Sequence, residues 1–171
     1  MTTVYTIGYE GTDIKRFVAT LVAAKVEVLA DVRAVAISRK KGFSKNRLRE
    51  ELAIAGIRYE HFVDLGDPKP GREAARAGKM SVFKKIYTGH LETNKAQDAL
   101  EALQKIVRTS ATCMMCFERD PQDCHRNIIA GKLESCGIST FHLFGDSPAR
   151  YANNDRFLPG RDSHQSSAAR Q

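Results

Sequence analysis

The chain lacks any run of about 18 or more apolar residues, the length a membrane-spanning helix requires, and so no membrane partner is expected. Its opening, Met1-Thr2-Thr3-Val4-Tyr5-Thr6-Ile7, has neither the basic start nor the cleavable small-residue site of a secretory signal, which makes a cytoplasmic protein the expectation. Cysteine is scarce. Four residues, Cys113, Cys116, Cys124 and Cys136, do not form the framework of a disulfide-stapled secreted domain at this length, so reduced thiols are expected. Gly8 and Gly11 fall short of a dinucleotide fingerprint, no GxxxxGK[ST] phosphate loop is present, and no internal repeat is visible. No cofactor is assigned. At 171 residues the chain is too short for two ordinary domains, and it reads as one domain over residues 1–158 followed by a flexible, polar tail over residues 159–171.

Acidic residues are also in deficit, 20 Asp and Glu against 27 Lys and Arg, for a formal net charge of +7. A positive surface concentrates phosphate-bearing partners such as RNA, DNA or nucleotides. Arg39, Lys40, Lys41, Lys45, Arg47 and Arg49 precede Glu50 with no acid among them. That stretch is either a basic patch or a solvated loop and helix face.

What is present is an alternation of short apolar runs with helical periodicities. Strands are predicted at residues 4–7, 26–30, 57–62, 111–117 and 138–143. Between them, Ile14, Phe17, Val18, Leu21 and Val22 repeat at helical spacing after a cap at Thr12; Ser44 caps a helix over residues 45–55; residues 95–108 form the clearest amphipathic helix; and Ile128, Ile129, Leu133 and Cys136 mark the last. Residues 64–78 are turn-rich and read as a functional lid or a plain surface excursion. A further short helix, capped by Ser81, is interrupted at Gly89-His90. The pattern predicts a single α/β domain with a mainly parallel open sheet of about five strands flanked by helices on both faces, Rossmann-like. In such a sheet ligands bind at the carboxyl ends of the strands.

Three strand exits are polar: Gly8-Tyr9-Glu10-Gly11, Asp31-Val32-Arg33, and the run from Cys116 to Arg126. Cys124, His125 and Arg126 fall in the opening turns of a helix, capped by Asp120 or Asp123, where unpaired N–H groups favour negative charge. Cys124 is a candidate low-pKa thiol or a packing cysteine. His125 is a candidate proton carrier or a helix-start histidine bonded to a loop carbonyl. Arg126 offers a planar fork for an anion, or pairs with Glu118 or Asp31. Cys116 and Glu118 share a face of the strand and Cys113 takes the other, which argues against a zinc knuckle at residues 113–116. No metal site is assigned, although Cys116, Cys124 and His125, with Glu118, could form one by folding together. Asp31 and Arg33 either serve the site or neutralise one another. Glu10 is a candidate acid or base, and Gly8 and Gly11 let the first loop approach a ligand.

Through Thr6-Ile7-Gly8-Tyr9-Glu10-Gly11, Asp31-Val32-Arg33, Ser38-Arg39, Gly42-Phe43-Ser44-Lys45, Gly56-Ile57-Arg58-Tyr59, Leu65-Gly66, Cys116-Phe117-Glu118, Asp120-Pro121 and Cys124-His125-Arg126 the chain resembles the DUF488 family over roughly residues 4–143. The resemblance implies one α/β unit and marks these polar positions as a shared pocket; it names no reaction. Ala36 stands where relatives often carry proline after the Asp-Val-Arg motif.

The functional expectation is an enzyme-like domain binding a phosphate-bearing ligand, a nucleotide or nucleic acid. Cys124, His125, Glu118, Glu10 and Asp31 are its candidate catalytic residues, and Tyr9, Gly11, Arg33, Arg39, Lys41, Cys116 and Arg126 its candidate ligand contacts. A non-catalytic nucleic-acid binding module and a thiol redox or metal-binding protein are the alternatives. The expectation requires Glu10, Arg33 and Arg126 to gather around one cavity.

Overall fold

A computed structural model describes residues 2–152. Five strands, β1 (Thr3–Gly8), β2 (Val28–Asp31), β3 (Arg58–His61), β4 (Thr112–Cys116) and β5 (Ser139–His142), form one parallel sheet in the order β3-β2-β4-β1-β5. Seven helices accompany them: α1 (Ile14–Ala23), α2 (Lys45–Ile54), α3 (Lys69–Arg76), α4 (Met80–Leu91), α5 (Asn94–Thr109), α6 (His125–Glu134) and α7 (Ala149–Ala152). The molecule is a single α/β domain of Rossmann-like topology. The expected tail over residues 159–171, and the end of the expected domain over residues 153–158, lie outside the described residues.

Alternation along the strands divides the core. Val4, Ala30, Met114 and Cys116 pack with Leu91, Leu100, Leu103 and Ile129 from α4, α5 and α6. Tyr5, Ile7, Leu29, Cys113 and Met115 face the other way, against Phe17, Leu21, Leu48 and Leu52 from α1 and α2. Every residue of β4 is buried, as suits a strand covered on both faces. The chain leaves β1 over the α1 face and leaves β4 over the α6 face. Since β1 and β4 are neighbours, their carboxyl ends form a topological switch point, where an open parallel sheet leaves a crevice.

Local differences from the sequence reading have clear causes. Asp13, not Thr12, caps α1, because its carboxylate accepts the Arg16 N–H at 2.9 Å while the Thr12 hydroxyl donates to the Gly145 carbonyl at 2.6 Å. The helix expected to break at Gly89-His90 continues to Leu91, held by burial of Phe83, Tyr87 and Leu91. Asp120 caps only a single 3-10 turn, Pro121–Asp123, and Cys124 is the residue that opens α6.

Candidate functional site

Register brings the three polar exits together. Gly8 is level with Cys116 and Asp31 with Met115, so the segments after β1, β2 and β4 start side by side. They stay joined beyond the sheet, through Tyr9 N–H to the Cys116 carbonyl (3.2 Å), Glu10 N–H to the Phe117 carbonyl (2.8 Å) and Val32 N–H to the Met115 carbonyl (3.2 Å). A Cβ on Gly8 would lie 1.8 Å from the Glu118 carbonyl oxygen, so only glycine admits this approach. Above the junction opens a cavity of about 790 Å³, lined among others by Tyr9, Arg33, Asp67, Cys116, Glu118 and His125.

Cys116 and His125 line it and Cys124 is buried beside them without lining it; the reactive atoms of the three lie within 4.8 Å of one another. His125 Nδ1 is 3.6 Å from Cys116 Sγ and 3.8 Å from Cys124 Sγ. The other ring nitrogen, Nε2, is 2.7 Å from the Val32 carbonyl. A carbonyl only accepts, so Nε2 carries the proton and Nδ1 is the atom turned to the sulfurs. Tyr87 packs edge-on against the imidazole at 5.1 Å and donates its hydroxyl to the Leu65 carbonyl at 2.7 Å, fixing the ring from behind.

The two thiols differ. Burial alone would raise the Cys124 thiol, but the Cys116 S–H donated to it and the neighbouring imidazolium overcome that and hold it well below the ordinary range. Cys116 moves the other way, raised by that same hydrogen bond and then by burial. His125 is lowered by burial but raised more by the Cys124 sulfur and by its bond to Val32. These shifts run toward charge on the Cys124–His125 pair and toward a neutral Cys116 thiol beside it. Glu118, mainly by burial and then by the Cys124 charge, is pushed up to about 7. Its Oε2 and the Oδ1 of Asp67 are buried without a hydrogen-bond partner. Burial also raises the Asp67 carboxyl.

The remaining sequence candidates fall into three groups. Asp31 and Arg33 neutralise one another deep in the wall: Arg33 Nε and Nη2 donate to the carboxylate at 2.9 and 2.7 Å, and Nη1 reaches the Phe43 carbonyl at 2.8 Å. Tyr59 donates its hydroxyl to the same carboxylate. Glu10 and Arg126 do not line the cavity but brace one stretch of backbone from outside it. Glu10 accepts the Arg119 N–H at 3.0 Å, and the fully buried Arg126 donates to the carbonyls of Glu118 at 2.6 Å and Arg119 at 3.2 Å. Arg126 thus bonds the backbone of Glu118, where pairing with its carboxylate was the alternative. Arg39, Lys41 and Gly11 are exposed and do not line the cavity. In the basic stretch Arg47 pairs with Glu50 and Glu51, Arg49 lies over the Tyr59 ring, and Lys40 donates to the Tyr9 carbonyl, which leaves that surface less positive than its composition suggests.

Asp67, Arg72 and Arg76, which also line the cavity, come from the segment the sequence marked only as a lid or excursion. Its irregularity was the available signal. Nothing in Gly66-Asp67-Pro68 distinguishes this aspartate from a turn residue.

A domain-scale comparison agrees with the motifs. Residues 13–133 match the family model described as domain of unknown function DUF488. The chain belongs to the DUF488 family. No curated protein and no solved structure matches it. Among the described residues no helix is long and apolar enough to cross a membrane. This DUF488 domain therefore carries, at its sheet switch point, a buried Cys/Cys/His cluster capable of coordinating a metal ion or forming another functional site.

Proposed function

We propose that this DUF488 protein is a metal-centred hydrolytic enzyme. Cys116, Cys124 and His125 hold a zinc-type divalent ion, Glu118 carries protons, and the cavity admits a phosphate-bearing substrate whose anionic group meets Arg72 and Arg76. The observation that carries the reading is the placement of His125 Nδ1 at 3.6 and 3.8 Å from two sulfurs while Nε2 is tied to a backbone carbonyl. With zinc bonds of about 2.3 Å to sulfur and about 2.0 Å to nitrogen, the nitrogen–sulfur edge of a tetrahedron is about 3.5 Å. A backbone carbonyl on the far ring nitrogen is the usual support of a ligating histidine. Three protein donors leave one position for water, the arrangement of catalytic rather than structural zinc. Binding replaces the protons that the metal-free imidazole and thiols share.

The substrate part of the reading is supported by cations at the rim. Arg76 has no ion-pair partner among the described residues, and Arg72 is anchored by a 2.6 Å bond to the Asp67 carbonyl. A centre built on free thiols suits a reducing compartment such as the cytoplasm.

Anaerobic zinc titration of the reduced full chain, read by native mass spectrometry, tests the centre. One zinc per chain is expected, lost in Cys124→Ser and His125→Ala and kept in Cys113→Ala, whose sulfur lies on the opposite face of the sheet. Equal zinc binding by all four proteins, or none by the native chain, would refute it.

A further inference from the structure

The surroundings of the metal centre indicate what it acts on, granted the reading above. The floor of the cavity holds no uncommitted cation: Arg33 is neutralised by Asp31, and Arg126 lies outside the cavity, engaged by backbone carbonyls. Two carboxyl groups line it instead, those of Glu118 and Asp67, and each has one oxygen, Oε2 and Oδ1, buried without a hydrogen-bond partner. A phosphoryl group in transfer spreads negative charge over its oxygens and requires cations around it, commonly a second metal or arginines. On this floor it would face carboxylates. The reacting part of the substrate is therefore uncharged and rich in N–H donors, which Asp67 and Glu118 can accept.

Higher in the cavity the walls change character. Phe117, Val35 and Ile37 are 44%, 53% and 76% exposed although all are apolar, and all three line the cavity. Phe117 is packed edge-to-face on Tyr9 at 5.2 Å, which holds its ring in place as a flat wall. Arg72 and Arg76 of α3 add positive charge. An aromatic wall, cations beside it and acceptors below match a planar, amino-bearing ring with an anionic tail. The volume of about 790 Å³ is within the range that holds a small-molecule ligand of nucleotide size.

A His/Cys/Cys metal set with a separate, non-ligating glutamate is the constellation by which zinc enzymes attack the amino-bearing carbon of cytosine or adenine, and such constellations recur on unrelated folds. The geometry points to hydrolytic deamination of an aminopyrimidine or aminopurine nucleotide in this cavity. Water adds to the ring carbon that bears the amino group, and Glu118 accepts its proton and delivers it to the departing nitrogen. The C–N bond breaks, a carbonyl forms and ammonia leaves, so that R–C(NH2)=N plus water gives R–C(=O)–NH plus NH3 with no redox change. Asp67 orients the amino group, the ring lies along Phe117, and the phosphate reaches Arg72 and Arg76.

The test is ammonia release from CMP, AMP and GMP by the zinc-loaded full chain. Release from at least one is expected. Glu118→Gln should lower the rate at least about 100-fold while keeping its zinc, and Phe117→Ala should raise KM severalfold with kcat little changed. Should Glu118→Gln fail to fold, Asp67→Asn takes its place, with a lower kcat and a higher KM expected. Zinc bound but no ammonia from any of the three nucleotides would overturn this inference and leave the metal centre standing, as would release of inorganic phosphate in place of ammonia. Failure to bind zinc would overturn the metal centre itself.

Discussion

Arg126 is fully buried, yet it serves the site through backbone rather than ligand. Its guanidinium satisfies the carbonyls of Glu118 and Arg119 and reaches the Thr6 hydroxyl at 3.4 Å, so it fixes the stretch that aims the Glu118 side chain. Removing it leaves buried carbonyls without donors. Arg126→Ala should cost about 3 kcal/mol or more in urea unfolding; a loss below about 1 kcal/mol would show the guanidinium to be dispensable for the fold. Glu118 has the opposite relation to stability. Its carboxyl rises from 4.5 in the unfolded reference to about 7 in the folded chain, so the folded state favours the protonated form. The stability it contributes is complete below pH 4.5 and is lost as pH rises through about 7, by at most about 3 kcal/mol. In metal-free protein, Glu118→Gln should flatten this decline, and an unchanged pH profile would mean that the carboxyl is not buried as described. Cys124, the thiol held low, should be alkylated by iodoacetamide below pH 7 ahead of Cys113, the thiol raised by burial, and zinc should protect it. Mass mapping of the labelled peptides reads both effects.

At the scale of elements, the segment from β4 to α6 was the most legible part of the site and the segment around α3 the least. Two cysteines, a histidine and an arginine between an apolar run and a helical repeat left few ways to fold, and strand alternation already put Cys116 and Glu118 on one face with Cys113 on the other. The partition of work between Glu10, Arg126 and the cavity was not readable, because a charged side chain at a loop can as easily hold neighbouring backbone as face a ligand, and only distances separate the two. Asp67 was invisible for a related reason: its role comes from burial under α3, whose Gly71 approaches so closely that a Cβ there would lie 2.1 Å from Asp67 Oδ1. The helix boundaries that moved did so where tertiary burial overrode local signals, as at Gly89-His90 inside α4. Gly8 shows how elements meet to make the floor. Gly8→Ala should separate β1 from the β4 exit and both destabilise the chain and weaken zinc binding by at least about 10-fold, read by thermal unfolding and zinc competition. Native zinc affinity in that variant would show that the floor does not depend on this contact.

For the molecule as a whole, the parallel sheet was predictable because five short apolar runs alternate with helices, and short connections of that kind leave a parallel arrangement as the consistent solution. The strand order was not, since the crossovers that return β4 between β2 and β1 depend on which helix faces find partners. That order is what places the exits of β1, β2 and β4 side by side and gives the Cys/Cys/His cluster an open cavity above it. Charge at this scale is a weaker guide: the +7 of the chain says that anions approach, whereas the floor they would reach is lined by carboxylates. X-ray absorption at the zinc edge of the loaded chain tests the centre most directly. Two sulfurs at about 2.3 Å, one nitrogen at about 2.0 Å and one further light atom are predicted. A shell of nitrogen and oxygen alone, or of four sulfurs, would contradict it.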